Sequence, residues 1–164
     1  MAVMLPPEVS GLLHLLGYEW PEGNEDRVME MAAGWQSFAA ALDQQVSLGE
    51  QARQHVVGAN EGPAIEAFGA AFAEVDAAST VTQDLGSGSA TIGSCLYVMA
   101  AAIVTLKVVV VIQLALLAIS IAQAIAAAVP TAGASLTLVP LMKIATQLAL
   151  NVAINQAVNA VMGS

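Results

Sequence analysis

The sequence predicts an all-α fold: an elongated bundle of two long helical hairpins preceded by a short N-terminal helix. Three observations predict it. Between residues 24 and 56 apolar side chains recur at alternating steps of three and four, residues 91–129 form an apolar run too long for a strand, and Gly- and Pro-bearing breaks separate the periodic stretches. Hydrophobic residues make up 57% of the 164, charged residues only 10%, and the mean hydropathy is +0.73. Such a chain has ample apolar surface for a core, which excludes intrinsic disorder.

Taken in order, Pro6 and Pro7 suit the first turn of a short helix whose apolar face is Leu12, Leu13, Leu15 and Leu16 and which stops at Gly17. Tyr18 to Gly23 reads as a turn, with Tyr18 and Trp20 expected to pack over the end of the first hairpin. Asn24 is placed to cap the next helix, and Glu25 and Asp26 favour its positive end. Its seam is Val28, Met31, Trp35, Phe38, Leu42, Gln45, Gly49, Ala52 and Val56, apolar at seven of nine positions in a coiled-coil-like pattern. At ~1.5 Å per residue this helix would span about 50 Å. A hairpin turn follows around Val56, Gly58, Asn60 and Gly62. Pro63 then opens a second helix with Ile65, Phe68, Phe72 and Val75 on one face.

The run Gly86, Ser87, Gly88, Ser89 reads as a flexible hinge; without the Gly-Lys-Ser/Thr ending of a phosphate loop it gives no case for nucleotide binding. Thr91 to Val129 reads as one long helix, apolar nearly all round, and Pro130 to Ser135 as the turn before the last helix. In that last helix Lys143, Gln147, Asn151, Asn155 and Asn159 fall at steps of four along one stripe. Two readings are open for the amides: a ladder that pairs with another chain, or a weakly polar face turned to solvent. The expected organisation is one integrated domain: an acidic hairpin with its short leading helix over 1–85, a Gly/Ser hinge over 86–95, and an apolar hairpin over 96–164.

Charge sharpens this division. All thirteen acids lie between Glu8 and Asp84, so that half, with Arg27 and Arg53 as its only cations, carries −11, whereas Lys107 and Lys143 alone give the second half +2, for the net −9. Four cations cannot neutralise a phosphate backbone, so no nucleic-acid partner is expected. Cys95 is the single cysteine and stands in an apolar neighbourhood, which reads as a buried thiol, while His14 and His55 share no local motif; no metal and no cofactor is expected. The second half has no acid and no histidine, and Ser94 and Cys95 have no local base, so no catalytic group and no enzymatic activity is expected. The N-terminus has neither a cationic start nor a small-residue cleavage site, so export without a cleaved signal peptide is the expectation.

The first half, a long amphipathic helix, a Gly-containing turn and a second helix opening with Ala-Ile-Glu-Ala-Phe, resembles the helical hairpin of the WXG-type proteins exported by type VII secretion systems. More narrowly, LPPEV, LLGYEWPEGNED, GANEGPAIEAF and VIQLALLAISIAQAIAAAVPTAGASLTLVP resemble the N-terminal WXG-like domain of actinobacterial polymorphic toxins, which is similar to the leading part of a mycobacterial outer-membrane channel protein carrying a necrotising toxin. The family's turn carries Trp-x-Gly; here Val56 stands in place of the tryptophan and only Gly58 matches. The family's export pattern, Tyr-x-x-x-Asp/Glu, normally follows the second helix; the match here, Tyr18 to Glu22, precedes the hairpin. Such domains are usually followed by a toxin, and with the chain ending at Ser164 the expectation is a fragment or a free-standing adaptor.

The resemblance implies a delivery role: a non-enzymatic module that docks on a helical partner, or on itself, and presents cargo to the secretion machinery. The alternative is a membrane-inserting protein. Val108 to Val129 is uncharged over 22 residues, Lys107 lies just outside it, and the turn at Pro130 to Gly133 would join two spans. Lys143 and the amide stripe count against that alternative, because unpaired polar groups are costly in hydrocarbon.

Overall fold

The structure, a computed structural model, describes Leu5 and residues 7–163. Pro6, expected in the first helical turn, lies outside the described residues. The fold is all-α, a helical bundle with α2 packed on α4 and α4 on α5. Its elements are α1 (Pro7–Leu15), α2 (Glu25–Ala59), α3 (Pro63–Ala71), α4 (Ala78–Ala126), a short 3-10 turn (Ala134–Leu138) and α5 (Val139–Met162).

Local chemistry explains where the helices stop and start. α1 ends in a left-handed Gly17 (φ 81°); the Gly17 amide donates to the His14 carbonyl and the Tyr18 amide to that of Leu13, the paired bonds of a Schellman motif. Asn24 caps α2 as the sequence predicts, its Oδ1 accepting from the Arg27 amide at 3.1 Å. At the other end the Asn60 side-chain amide donates to the Val56 carbonyl at 2.9 Å. Gly62 then takes a φ of 117°, and Pro63 opens α3.

Two expectations are corrected. The second helix of the first hairpin does not run on to Val75: α3 stops at Ala71, and Val75 stands in a turn at 89% exposure. The Ser79 and Thr80 hydroxyls donate to the carbonyls of Phe72 and Glu74 and hold that turn against the start of α4. The Gly86–Ser89 run is not a hinge. It lies inside α4, which begins at Ala78 rather than Thr91. Hydroxyls in and near the run bond back to carbonyls four residues earlier, Ser89 to Leu85 and Thr91 to Ser87. Gly86, and Gly93 beyond the run, serve a close approach to α2 that outweighs their poor helix propensity.

The chain groups into two compact units, Met1–Val28 with Val98–Ser164, and Met29–Tyr97. The first has a core of large aliphatic side chains: Leu13 and Leu16 at the end of α1, Val110, Leu114 and Leu117 of α4, and Leu150 of α5. Tyr18, Trp20, Leu106 and Ile121 pack against it. Tyr18 and Trp20 therefore belong to this core and not to the end of the first hairpin.

The second unit buries small residues. Ala32 and Ala39 of α2 face Gly86, Ser89 and Gly93 of α4. A Cβ added at Gly93 would meet Gln36 Nε2 at 2.8 Å and the Ala32 carbonyl at 3.1 Å; one at Gly86 would meet Asp43 Oδ1 at 3.2 Å and Leu42 Cβ at 3.6 Å. Gln36 completes the contact by donating to the Ala90 carbonyl at 3.0 Å.

Candidate functional site: two surfaces and a polar clasp

The seam expected on α2 is not the face that α2 buries. Ala32 and Ala39 are buried, whereas Met31 is 55% and Phe38 43% exposed. One residue along an α-helix is about 100° of rotation, so a face centred one position later leaves Met31 and Phe38 at its edge. Trp35 and Leu42 are half-buried, as is Val28, which falls in the other unit. Trp35 and Phe38 meet edge to face, centroids 6.2 Å apart at 74°, and with Met31 and Gly34 they line an open depression of about 330 Å³. An aromatic patch on the surface of a helix whose buried face is already filled is a candidate for binding another helix.

The hairpin turn brings Val57, Asn60, Gly62, Ile65, Glu66 and Gly69 around a shallow concavity of about 620 Å³. Val56 and Ile65 are half-buried, and Gly58 is exposed within α2. Phe68 is 38% exposed and meets the half-buried Phe72 at a tilt of 55°, centroids 5.6 Å apart. Farther along the same unit, the Arg53 guanidinium and then the Gln54 amide hold the Glu50 carboxyl at about 2, below the usual carboxylate range.

The amide stripe divides. Gln147 Nε2 donates to the Leu16 carbonyl at 3.0 Å, and the Tyr18 hydroxyl donates to Asn151 Oδ1 at 2.7 Å and lies 3.2 Å from the Gln147 carbonyl. Half of the stripe thus pairs with this chain's own N-terminal segment. Asn155 and Asn159 remain exposed. The Tyr18–Glu22 pattern has its tyrosine hydroxyl engaged here and its glutamate exposed.

An ion pair escaped the sequence reading. Lys107 Nζ donates to Glu25 Oε2 at 2.7 Å and to the Gly23 carbonyl at 2.6 Å, and stands 5.9 Å from the Trp20 ring centroid. Both residues are 2% exposed. One signal could have found the pair: Lys107 is the only charged residue between positions 85 and 142, and a lone cation in an apolar helix needs a counter-ion or water.

The first unit also leaves large aliphatic side chains exposed. Val108, Ile112, Leu116 and Ile119 of α4 and Leu141, Ile144, Leu148 and Val152 of α5 are all between 43% and 65% exposed. Among the described residues, no three His, Cys, Asp or Glu side chains are grouped to hold a metal ion, and Cys95 is a half-buried free thiol.

These features define an all-helical protein with large apolar and aromatic side chains left exposed. The WXG100-like domain family matches residues 4–154, and the chain belongs to that family. Its members are helical, related to type VII secretion, and associate with helical partners or with themselves. No curated relative and no solved structure matches the chain.

Proposed function

We propose that this chain is a non-enzymatic targeting module for type VII-like secretion, bringing a toxin or another effector to the secretion machinery through helix–helix association. The supporting observation is the patch of exposed Met31 and Phe38 with the half-buried Trp35 between them, while the neighbouring Ala32 and Ala39 are buried. A patch of this kind gains more from a partner than from packing within its own unit. The chain leaves the cytoplasm without a cleaved signal peptide in this reading, and the hairpin turn at Val56, Gly58, Asn60 and Gly62 together with Ile65, Phe68, Phe72 and Val75 adds to the partner surface.

The test is export of a reporter fused to the full chain in a host carrying the secretion system. The triple substitution Met31→Ala, Trp35→Ala, Phe38→Ala is expected to stop export while leaving the thermal unfolding midpoint nearly unchanged. Undiminished export would remove the reading.

A second reading is insertion into a membrane by the apolar helices. In its favour, Ala78–Ala126 and Ala134–Met162 are long and apolar enough to span, and only 28% and 17% of their most apolar windows are buried. Light scattering on protein prepared without detergent separates the two: a discrete species of one or a few chains counts against obligate insertion, and recovery only with membranes counts for it.

A further inference from the structure

Between α1 and α2 the chain runs from Gly17 to Asn24 without regular structure, and its Tyr18 and Trp20 pack against the core of the first unit. It is fastened at two places by polar groups. On α4, Lys107 donates to Glu25 and to the Gly23 carbonyl. On α5, Tyr18 bonds to Asn151, and Gln147 bonds back to the Leu16 carbonyl.

A buried ion pair is poor glue, because apolar side chains of similar volume would stabilise the same core as well or better. It is well suited to a two-state contact, since removing either partner leaves the other's charge buried without its counter-charge. Lys107 also has a second environment open to it. It immediately precedes Val108 to Val129, whose 22 residues at ~1.5 Å each match a hydrocarbon core of about 30 Å. A lysine at the edge of such a span lays its methylene stem along apolar surface and places its ammonium among the headgroups. Glu25, at the start of α2, would return to water.

We propose that residues 17–25 form a releasable clasp. Closed, it keeps Lys107 inside the first unit and ties α5 through Tyr18. Released, it lets Lys107 move to the headgroup layer while α4 and α5 enter a lipid bilayer. The clasp rests on the membrane reading above.

Closing the clasp covalently tests it. A Cβ at Gly23 would lie 3.4–3.8 Å from the Cδ1, Cγ2 and Cγ1 atoms of Ile103, so the two positions are neighbours and are the pair chosen for a disulfide. The full chain carrying Gly23→Cys, Ile103→Cys and Cys95→Ser is floated with phosphatidylcholine vesicles, oxidised and reduced. The oxidised form is expected to lose binding by about tenfold or more against the same protein reduced. Tyr18→Phe, which removes only a hydroxyl, and Glu25→Gln are expected to raise binding above the parent.

Equal binding of oxidised and reduced protein overturns the clasp and leaves the membrane reading standing. Absence of binding in every form, the reduced protein and Glu25→Gln included, overturns the membrane reading and the clasp with it. If the disulfide does not form, the two single substitutions decide, and binding unchanged from the parent in both overturns the clasp.

Discussion

The two compact units share the long helix α4 and bury its side chains in opposite ways. The Met29–Tyr97 unit buries Ala32, Ala39, Ser89 and two glycines and leaves Met31 and Phe38 outside; the other buries Leu13, Leu114, Leu117 and Leu150, and also an ion pair. In the first case backbone proximity limits what fits, and in the second side-chain volume fills the space. Apolar content therefore says little here about what is buried. Trp35 is more hydrophobic than Ala32, but only the alanine fits a contact in which α4 carries glycine.

The largest effect expected from testing this contrast is at the ion pair. Glu25→Gln leaves Lys107 buried without its counter-charge and should cost roughly 3–5 kcal/mol in urea unfolding. Replacing both, Glu25→Gln with Lys107→Met, should recover most of that loss. If the single substitution is as mild as the double, the pair carries no coupling and the contrast weakens.

Next is the aliphatic core. Leu114→Ala should cost about 2–5 kcal/mol, because Leu114 is fully buried, whereas Leu116→Ala, at a residue 53% exposed, should cost far less. Similar losses at the two positions would mean that the outer face of α4 is covered in solution.

A smaller effect with opposite signs is expected among the glycines of α4. Gly93→Ala forces a methyl against the Ala32 carbonyl and should destabilise by about 1–2 kcal/mol. Gly88→Ala meets nothing within 4 Å and should stabilise by up to ~1 kcal/mol through helix propensity. A flexible linker would respond alike at both positions.

The smallest effect is on the exposed side of α2. Glu50 is held at about 2 by Arg53 and Gln54, so a folded-state value below the ordinary one means its contribution is present above the usual carboxylate range and is lost as pH falls through about 2. Proton titration by NMR should find that midpoint, and Arg53→Ala should return it toward about 4.3. Stability at neutral pH should hardly change.

Much of this was legible in the chain. The Asn24 cap, the end of α1 at Gly17, and Pro63 at the opening of α3 follow from residue types whose backbone preferences are local. The candidate surfaces were legible as a set of residues, but not which of them the chain itself covers. Met31, Trp35 and Phe38 have the spacing of a buried seam, and the period cannot tell a buried stripe from one rotated by a single residue. Gly86–Ser89 looked like a hinge because glycine and serine are weak helix formers, and nothing local shows a second helix lying against them.

The sequence by itself determined that the fold is helical, where the helices are capped, and that acids and aliphatics segregate along the chain. Those properties depend on neighbours within a few positions, and periodicity carries them. Tertiary structure alone decided which face of α2 is covered, that Gly86 and Gly93 of α4 are contacts, that half of the amide stripe binds the chain's own N-terminal segment, and that Lys107 finds Glu25 82 residues away. Each of these pairs groups distant in sequence, and the physical requirement behind them, that a buried charge or carbonyl be satisfied and that two backbones fit, does not name the partner until the chain has folded.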